Sequence, residues 1–171
     1  MSKKALIVVD MQNDYLWEQR KPMFSYDTAE LVSNVNKAIH SYKDKGWDII
    51  YISQIFPNII TNRWIIGFSI ANTEGAKLYG GLDVVSDLCF DKNLPDAFTA
   101  KKFRGFFNSQ GYDEVVVCGL DECGCVGATA LGAVKAGVKT SLLKSCTGCR
   151  YKAEKQAKQH EKLTKNGIEY I

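Results

Sequence analysis

Glu114-Val-Val-Val-Cys-Gly-Leu-Asp-Glu-Cys-Gly-Cys-Val-Gly-Ala-Thr-Ala-Leu-Gly-Ala-Val-Lys-Ala136 is the stretch on which the fold reading turns. Its first residues, Glu114 to Cys118, make a β-branched run that is too short for a helix and has no polar alternation, the pattern of a strand buried on both faces. Gly119 to Gly124 is a turn with two glycines and two acids. From about Cys125 to Ala136 the chain is rich in Ala and Gly on all sides, as expected of a helix lying close against a sheet, and Gly137 ends it. Strand, turn and helix together are one unit of a parallel sheet.

The alternation continues outward from this unit. Upstream, Ala5 to Val9 is a buried strand that stops at Asp10. Asp27 and Glu30 form a capping box, and Leu31, Val35, Ala38, Ile39 and Tyr42 recur at helical spacing until Gly46. Asp48 to Ile55 reads as a second strand and about Leu88 to Asp91 as a third, followed by a Phe98 to Phe107 helix that stops at Gly111. Downstream come a fifth strand, Val138 to Leu143, a polar helix over about Arg150 to Lys165, and a last strand, Ile168 to Ile171. The segment 57–81 is irregular, with Trp64, Ile65, Ile66 and Phe68 set among Asn and Gly; excursions of this kind often cover a site or a subunit contact. Six strands alternating with helices predict an α/β fold, a parallel sheet covered on both faces.

With 171 residues and 46% apolar side chains, the chain suits one domain spanning 1–171. Lys plus Arg number 22 against 19 for Asp plus Glu, a balance of +3 with no block of like charge, which argues against nucleic acid and membrane surfaces and for a small-molecule partner. No apolar run approaches the roughly 20 residues of a spanning helix. Six cysteines behind an N-terminus that leads straight into a strand predict a reducing, cytoplasmic setting.

Folds of this kind place their chemistry at the carboxyl ends of the strands. The residues there are Asp10, Gln54, Lys92, the Gly119 to Cys125 turn and the Lys144 to Cys149 segment. Cys125 falls at a helix N-terminus, where unpaired N–H groups and the helix dipole favour a thiolate and can hold an oxyanion. A cysteine nucleophile needs a proton acceptor, usually histidine. His40 lies at the far end of the first helix and His160 in the last one, so Asp10 becomes the base, with Lys92 stabilising its carboxylate. Taken singly, Asp10 also suits a turn, Lys92 a solvated surface and Cys125 simple burial. Their joint placement at one sheet edge is what favours chemistry.

Three separated motifs resemble the isochorismatase-like cysteine hydrolases, the group that includes nicotinamidases and N-carbamoylsarcosine amidase. Ala5-Leu-Ile-Val-Val-Asp-Met-Gln-Asn-Asp14 resembles their opening strand and D-x-Q-N-D, Lys92-Asn-Leu-Pro-Asp-Ala-Phe98 their K-x-x-Y-S-A-F, and Gly119 to Val126 followed by Ala128-Thr-Ala-Leu131 their G-x-x-T-D-x-C-V with A-T-A-L. The resemblance implies a three-layer α/β/α sandwich with six parallel strands in the order 3-2-1-4-5-6. It assigns Asp10 as general base, Lys92 as its partner and Cys125 as nucleophile in C–N hydrolysis through a thioester. Backbone N–H groups of Asp121 and Cys125 would form the oxyanion hole, beside a cis Leu120-Asp121 peptide. A pocket lined by Phe24, Trp64 and Phe98 would take a small amide or carbamoyl compound, and homo-oligomerisation is expected.

Departures narrow these expectations. Nicotinamidases carry D-x-H after the second strand, which with a further His holds a metal; here Ile52-Ser-Gln-Ile-Phe-Pro57 has no histidine, so neither metal nor other cofactor is expected. The extra acids Asp96, Asp121 and Glu122 would suit a cationic or amine-bearing substrate. A competing reading gathers Cys123, Cys125, Cys146 and Cys149 into a zinc or redox site, because the sequence puts four sulfurs at adjacent strand ends. A third makes the chain a non-catalytic member that binds a ligand or a protein.

Overall fold

The structure, a computed structural model, describes residues 2–171. Six strands, β1 (Lys3–Val9), β2 (Asp48–Gln54), β3 (Cys89–Lys92), β4 (Tyr112–Gly119), β5 (Lys139–Thr147) and β6 (Glu169–Tyr170), make one parallel sheet in the order β3-β2-β1-β4-β5-β6. The expected architecture and strand order are both present.

β1 is central because its side chains have no polar face to offer solvent: Ala5 to Val9 are all buried. Successive residues project to opposite faces. Ala5, Ile7 and Val9 enter one core with Phe103, Val126, Ala130 and Leu163, while Leu6 and Val8 enter the other with Leu31, Val35 and Ile39. The first core is covered by α4 (Lys101–Gln110), α5 (Cys125–Lys135) and α6 (Ala153–Lys165), and the second by α2 (Thr28–Asp44). The Asp27 side chain caps α2 by accepting from the Glu30 N–H, which is half of the expected box.

The glycines of α5 have a specific reason. A Cβ on Gly132 would stand 2.4 Å from Asp96 Oδ1 and 2.7 Å from the Phe98 ring, so only glycine lets the segment after β3 pack this closely. Gly119, with φ of +109°, ends β4 where a Cβ would meet the Val9 carbonyl oxygen at 2.2 Å, so the tips of the two central strands converge.

Several boundaries differ from the sequence reading. β5 runs on to Thr147, because the six residues from Leu142 to Thr147 span what the three residues from Val117 to Gly119 span in β4. α6 starts at Ala153, so Arg150 belongs to the loop before it. Between β1 and α2 the chain makes a short helix, α1 (Asn13–Leu16), and the irregular segment contains α3 (Ile60–Ile65), whose residues are nowhere buried.

Candidate active site

Asp10 follows β1 with φ of +53°, a left-handed conformation that aspartate tolerates better than most residues and that turns the chain sharply at the strand tip. Lys92 ends the edge strand β3, and its ammonium is wholly buried. The two meet at 3.0 Å between Lys92 Nζ and Asp10 Oδ2, and Lys92 also donates to Gln54 Oε1 at 2.7 Å. Cys125 is the first residue of α5, with its Sγ 4.0 Å from Gln54 Oε1. The structure therefore brings Asp10, Lys92 and Cys125 together, with Gln54 among them.

Electrostatics set the resting protonation. Burial raises the Asp10 pKa above its usual 3.8, against the opposing pull of the Lys92 charge. Burial and the neighbouring Asp10 carboxylate together push the Cys125 thiol up to about 12, with Lys92 acting in the opposite sense. The helix N-terminus favours a thiolate, but desolvation wins, and Cys125 rests as a thiol. The second Asp10 oxygen, Oδ1, is buried and accepts no hydrogen bond. A buried carboxylate and a protonated thiol thus lie side by side.

The Leu120-Asp121 peptide is cis. Glu122, Gly124 and Val126 N–H groups all find carbonyl partners, whereas those of Asp121 and Cys125 donate to no acceptor among the described residues. The Asp121 carboxylate is tied into the turn: Oδ1 accepts from Cys123 N–H at 2.8 Å, and Oδ2 from the Tyr26 hydroxyl at 2.9 Å and Arg150 N–H at 2.8 Å.

The remaining polar residues of the opening motif are anchors. The Gln12 side chain brackets the Gln54 backbone, accepting from its N–H at 2.8 Å and donating to its carbonyl at 3.0 Å, and it also donates to the Ala76 carbonyl. Asn13 donates to the Glu74 carbonyl and Asp14 accepts from Ser69 N–H. The irregular segment is thereby pinned against the strand ends, and it delivers Phe68 to the pocket wall.

That pocket has a volume of about 260 Å³ and opens over Asp10, Gln54 and Cys125, with Tyr15, Phe24, Phe56 and Phe68 as an aromatic wall. Phe24 is placed as expected, but two other expected contacts are not. Trp64 stands 85% exposed on α3, which packs none of its residues inward, and it does not line the cavity. Phe98 is buried in the core, edge-on to Phe103 and Phe107 at 5.0 and 4.8 Å.

Of the three extra acids expected near the pocket, Asp121 borders it and the other two do not. Asp96 caps the turn that starts at Ala97 through Phe98 N–H, away from the cavity, and Glu122 is buried beneath Gln156 and Tyr170. Asp121 borders the cavity with its carboxylate already engaged. The charged group that does reach the cavity is Arg150, stacked over Phe24 at 5.2 Å, with a hydrogen bond to the Tyr151 hydroxyl and no carboxylate partner among the described residues. The four-sulfur reading fails as well: Cys125 faces Asp10, and Cys146 is buried in the core beneath α2.

Fold and site together define a parallel α/β domain with a cysteine at a helix N-terminus beside a buried Asp–Lys pair. The isochorismatase domain model matches residues 4–171, and the chain belongs to that family. It is 27% identical over 134 residues to an uncharacterized isochorismatase family protein, YddQ of Bacillus subtilis, covering 78% of this chain and 71% of that one. To the maleamate amidohydrolase of Pseudomonas putida it is 28% identical over 158 residues, covering 87% and 74%. The solved pyrazinamidase of Pyrococcus horikoshii in complex with zinc superposes with a TM-score of 0.83 at 27% identity, covering 99% and 98%.

The residues here do not fit a histidine-held metal in the pocket. Gln54, Phe56 and Phe68 line the side next to β2, while His40 pairs with Asp83 at the surface and His160 stacks on Tyr170.

Proposed function

We propose that the protein hydrolyses the C–N bond of a small amide or carbamoyl compound that carries a carboxylate, through a thioester on Cys125. The observation that carries this reading is the buried Asp10 carboxylate, held through Oδ2 by Lys92 and in contact with the Cys125 thiol. Asp10 takes the thiol proton as Sγ attacks the carbonyl carbon. The oxygen that gains charge is received by the N–H groups of Asp121 and Cys125, which have no other acceptor. The C–N bond breaks, the leaving amine departs with the proton from Asp10, and water activated by the same carboxylate hydrolyses the thioester. Lys92 keeps Asp10 oriented through its hydrogen bond to Oδ2.

Arg150 supports the carboxylate requirement. Asp10 and Lys92 pair with each other and the Asp121 carboxylate is tied into its turn by three hydrogen bonds, so the Arg150 guanidinium is the cation at the cavity wall without a carboxylate partner among the described residues. Maleamate, the compound in the Pseudomonas relative's name, combines an amide with a carboxylate. The same chemistry occurs in N-carbamoyl amino acids.

Ammonia release from maleamate, N-carbamoyl amino acids and neutral nicotinamide tests the reading. The carboxylate compounds are turned over, nicotinamide is a poor substrate, and Cys125→Ala is inactive while remaining folded. Undiminished turnover in Cys125→Ala overturns the mechanism, and a preference for the neutral amide overturns the substrate class.

A further inference from the structure

Cys123 and Cys149 take no part in the chemistry above, yet their sulfurs lie 3.7 Å apart and both are free thiols. Cys123 belongs to the turn between β4 and α5, and Cys149 to the loop between β5 and α6. The Asp121 carboxylate completes a group of three ligand atoms that all fall within 4.8 Å of one another. Two thiolates on one tetrahedral zinc, each about 2.3 Å from the metal, stand about 3.8 Å apart. The sulfurs are therefore already at the spacing that a shared metal requires.

The third ligand is also prepared. An ionised carboxylate has about four acceptor positions, and Asp121 uses three of them: Oδ1 for Cys123 N–H, Oδ2 for the Tyr26 hydroxyl and for Arg150 N–H. One position on Oδ1, the oxygen that already receives the Cys123 N–H, is left. Those bonds fix the carboxylate in place, so binding would cost little reorganisation. Among the described residues the Asp121 carboxylate has only neutral hydrogen-bond partners, and the Lys155 ammonium is stacked on the Tyr151 ring at 3.4 Å. Cys123 and Cys149 are half-buried and can be reached by a cation from solvent.

We propose that Asp121, Cys123 and Cys149 bind one thiophilic divalent cation of the zinc type, with water as the fourth ligand. Binding displaces one proton from each thiol to solvent and forms two metal–sulfur bonds and one metal–oxygen bond. The site differs from the pocket, since Cys125 Sγ faces Asp10 and Gln54 instead. Its place in the fold gives it a bracing role. It ties the turn that carries the Asp121 and Cys125 N–H groups to the loop that carries Arg150, two segments otherwise joined by the Arg150 N–H to Asp121 and Glu122 N–H to Gly148 bonds.

Reduced, chelator-stripped protein titrated with Co²⁺ and then displaced with Zn²⁺ tests this. The expected result is one equivalent bound with a thiolate-to-metal charge-transfer band, and a melting temperature raised by Zn²⁺. Both effects are lost in Cys123→Ser and in Cys149→Ser, and kept in Cys146→Ser and Cys125→Ala. The proposal is overturned if no thiolate band forms, if binding survives Cys149→Ser, or if it is lost in Cys125→Ala, which would put the metal on the pocket thiol. None of these results bears on whether amides are hydrolysed, so the two readings fail separately.

Discussion

Replacing Lys92 by Met probes the group on which the site's electrostatics rest. The Lys92 ammonium and the Asp10 carboxylate are 0% and 4% exposed and 3.0 Å apart, so the substitution strands a buried carboxylate. Breaking a buried pair from one side costs about 3–5 kcal/mol. Gln54 Oε1 loses its donor too, which places the expected loss at the upper end of that range. The deficit depends on pH in a defined direction. The folded-state pKa of Asp10 is raised above 3.8, so its contribution to stability is full below that value and is lost as pH rises through the folded value. Without Lys92 the folded value rises further, and the loss deepens. Urea unfolding of Lys92→Met should therefore show a small deficit near pH 4 and the full deficit at neutral pH.

The double variant Asp10→Asn/Lys92→Met removes both charges and should recover most of the lost stability at neutral pH, because no uncompensated charge is left inside. It should also lose the pH dependence that separates Lys92→Met from the wild type. A neutral-pH deficit below about 1 kcal/mol for Lys92→Met, or one that does not shrink on acidification, would refute the claim that this pair is buried and coupled.

Other consequences are more local. Arg150→Ala should raise KM for a carboxylate substrate about 10- to 150-fold, the worth of a charge-assisted hydrogen bond, and leave any neutral amide unaffected in a steady-state comparison. Phe98→Ala should cost about 3–5 kcal/mol in chemical denaturation with KM unchanged, as expected of a core ring. Asp10→Asn should lower kcat/KM by about 10² to 10⁴, and the wild-type profile should have an acid limb above the 3.8 of an ordinary aspartate; a limb at or below it counts against Asp10 as base.

What could be read from the residues follows physical lines. β1 and β4 are buried on both faces, so each is a continuous apolar run, and the end of such a run marks where chemistry belongs. The convergence of Asp10, Lys92 and Cys125 at one sheet edge was legible for that reason. Trp64 was not, because a six-residue helix has too few turns for its composition to show which side faces inward. Phe98 shares its stripe with Phe103 and Phe107, and the stripe turned out to be core. Arg150 was hidden by a boundary: Lys152 caps α6 without a side-chain hydrogen bond, so no start signal separates loop from helix. Cys146 was misplaced by the extra residues in β5, which return its side chain to the interior.

These successes and failures divide the site into two kinds of residue. The groups assigned to the reaction come from strand tips and a helix start, where the sheet leaves little freedom, and their charges cancel within the protein. On the proposed reading, selection of substrate then falls to the Arg150 guanidinium, which sits on a loop. Arg150 is held there through its own backbone N–H on Asp121, the residue whose N–H faces the proposed oxyanion. Because one carboxylate organises both the turn and the loop, a change of substrate charge need alter only the side chain at position 150, while the Asp10, Lys92 and Cys125 geometry stays as it is.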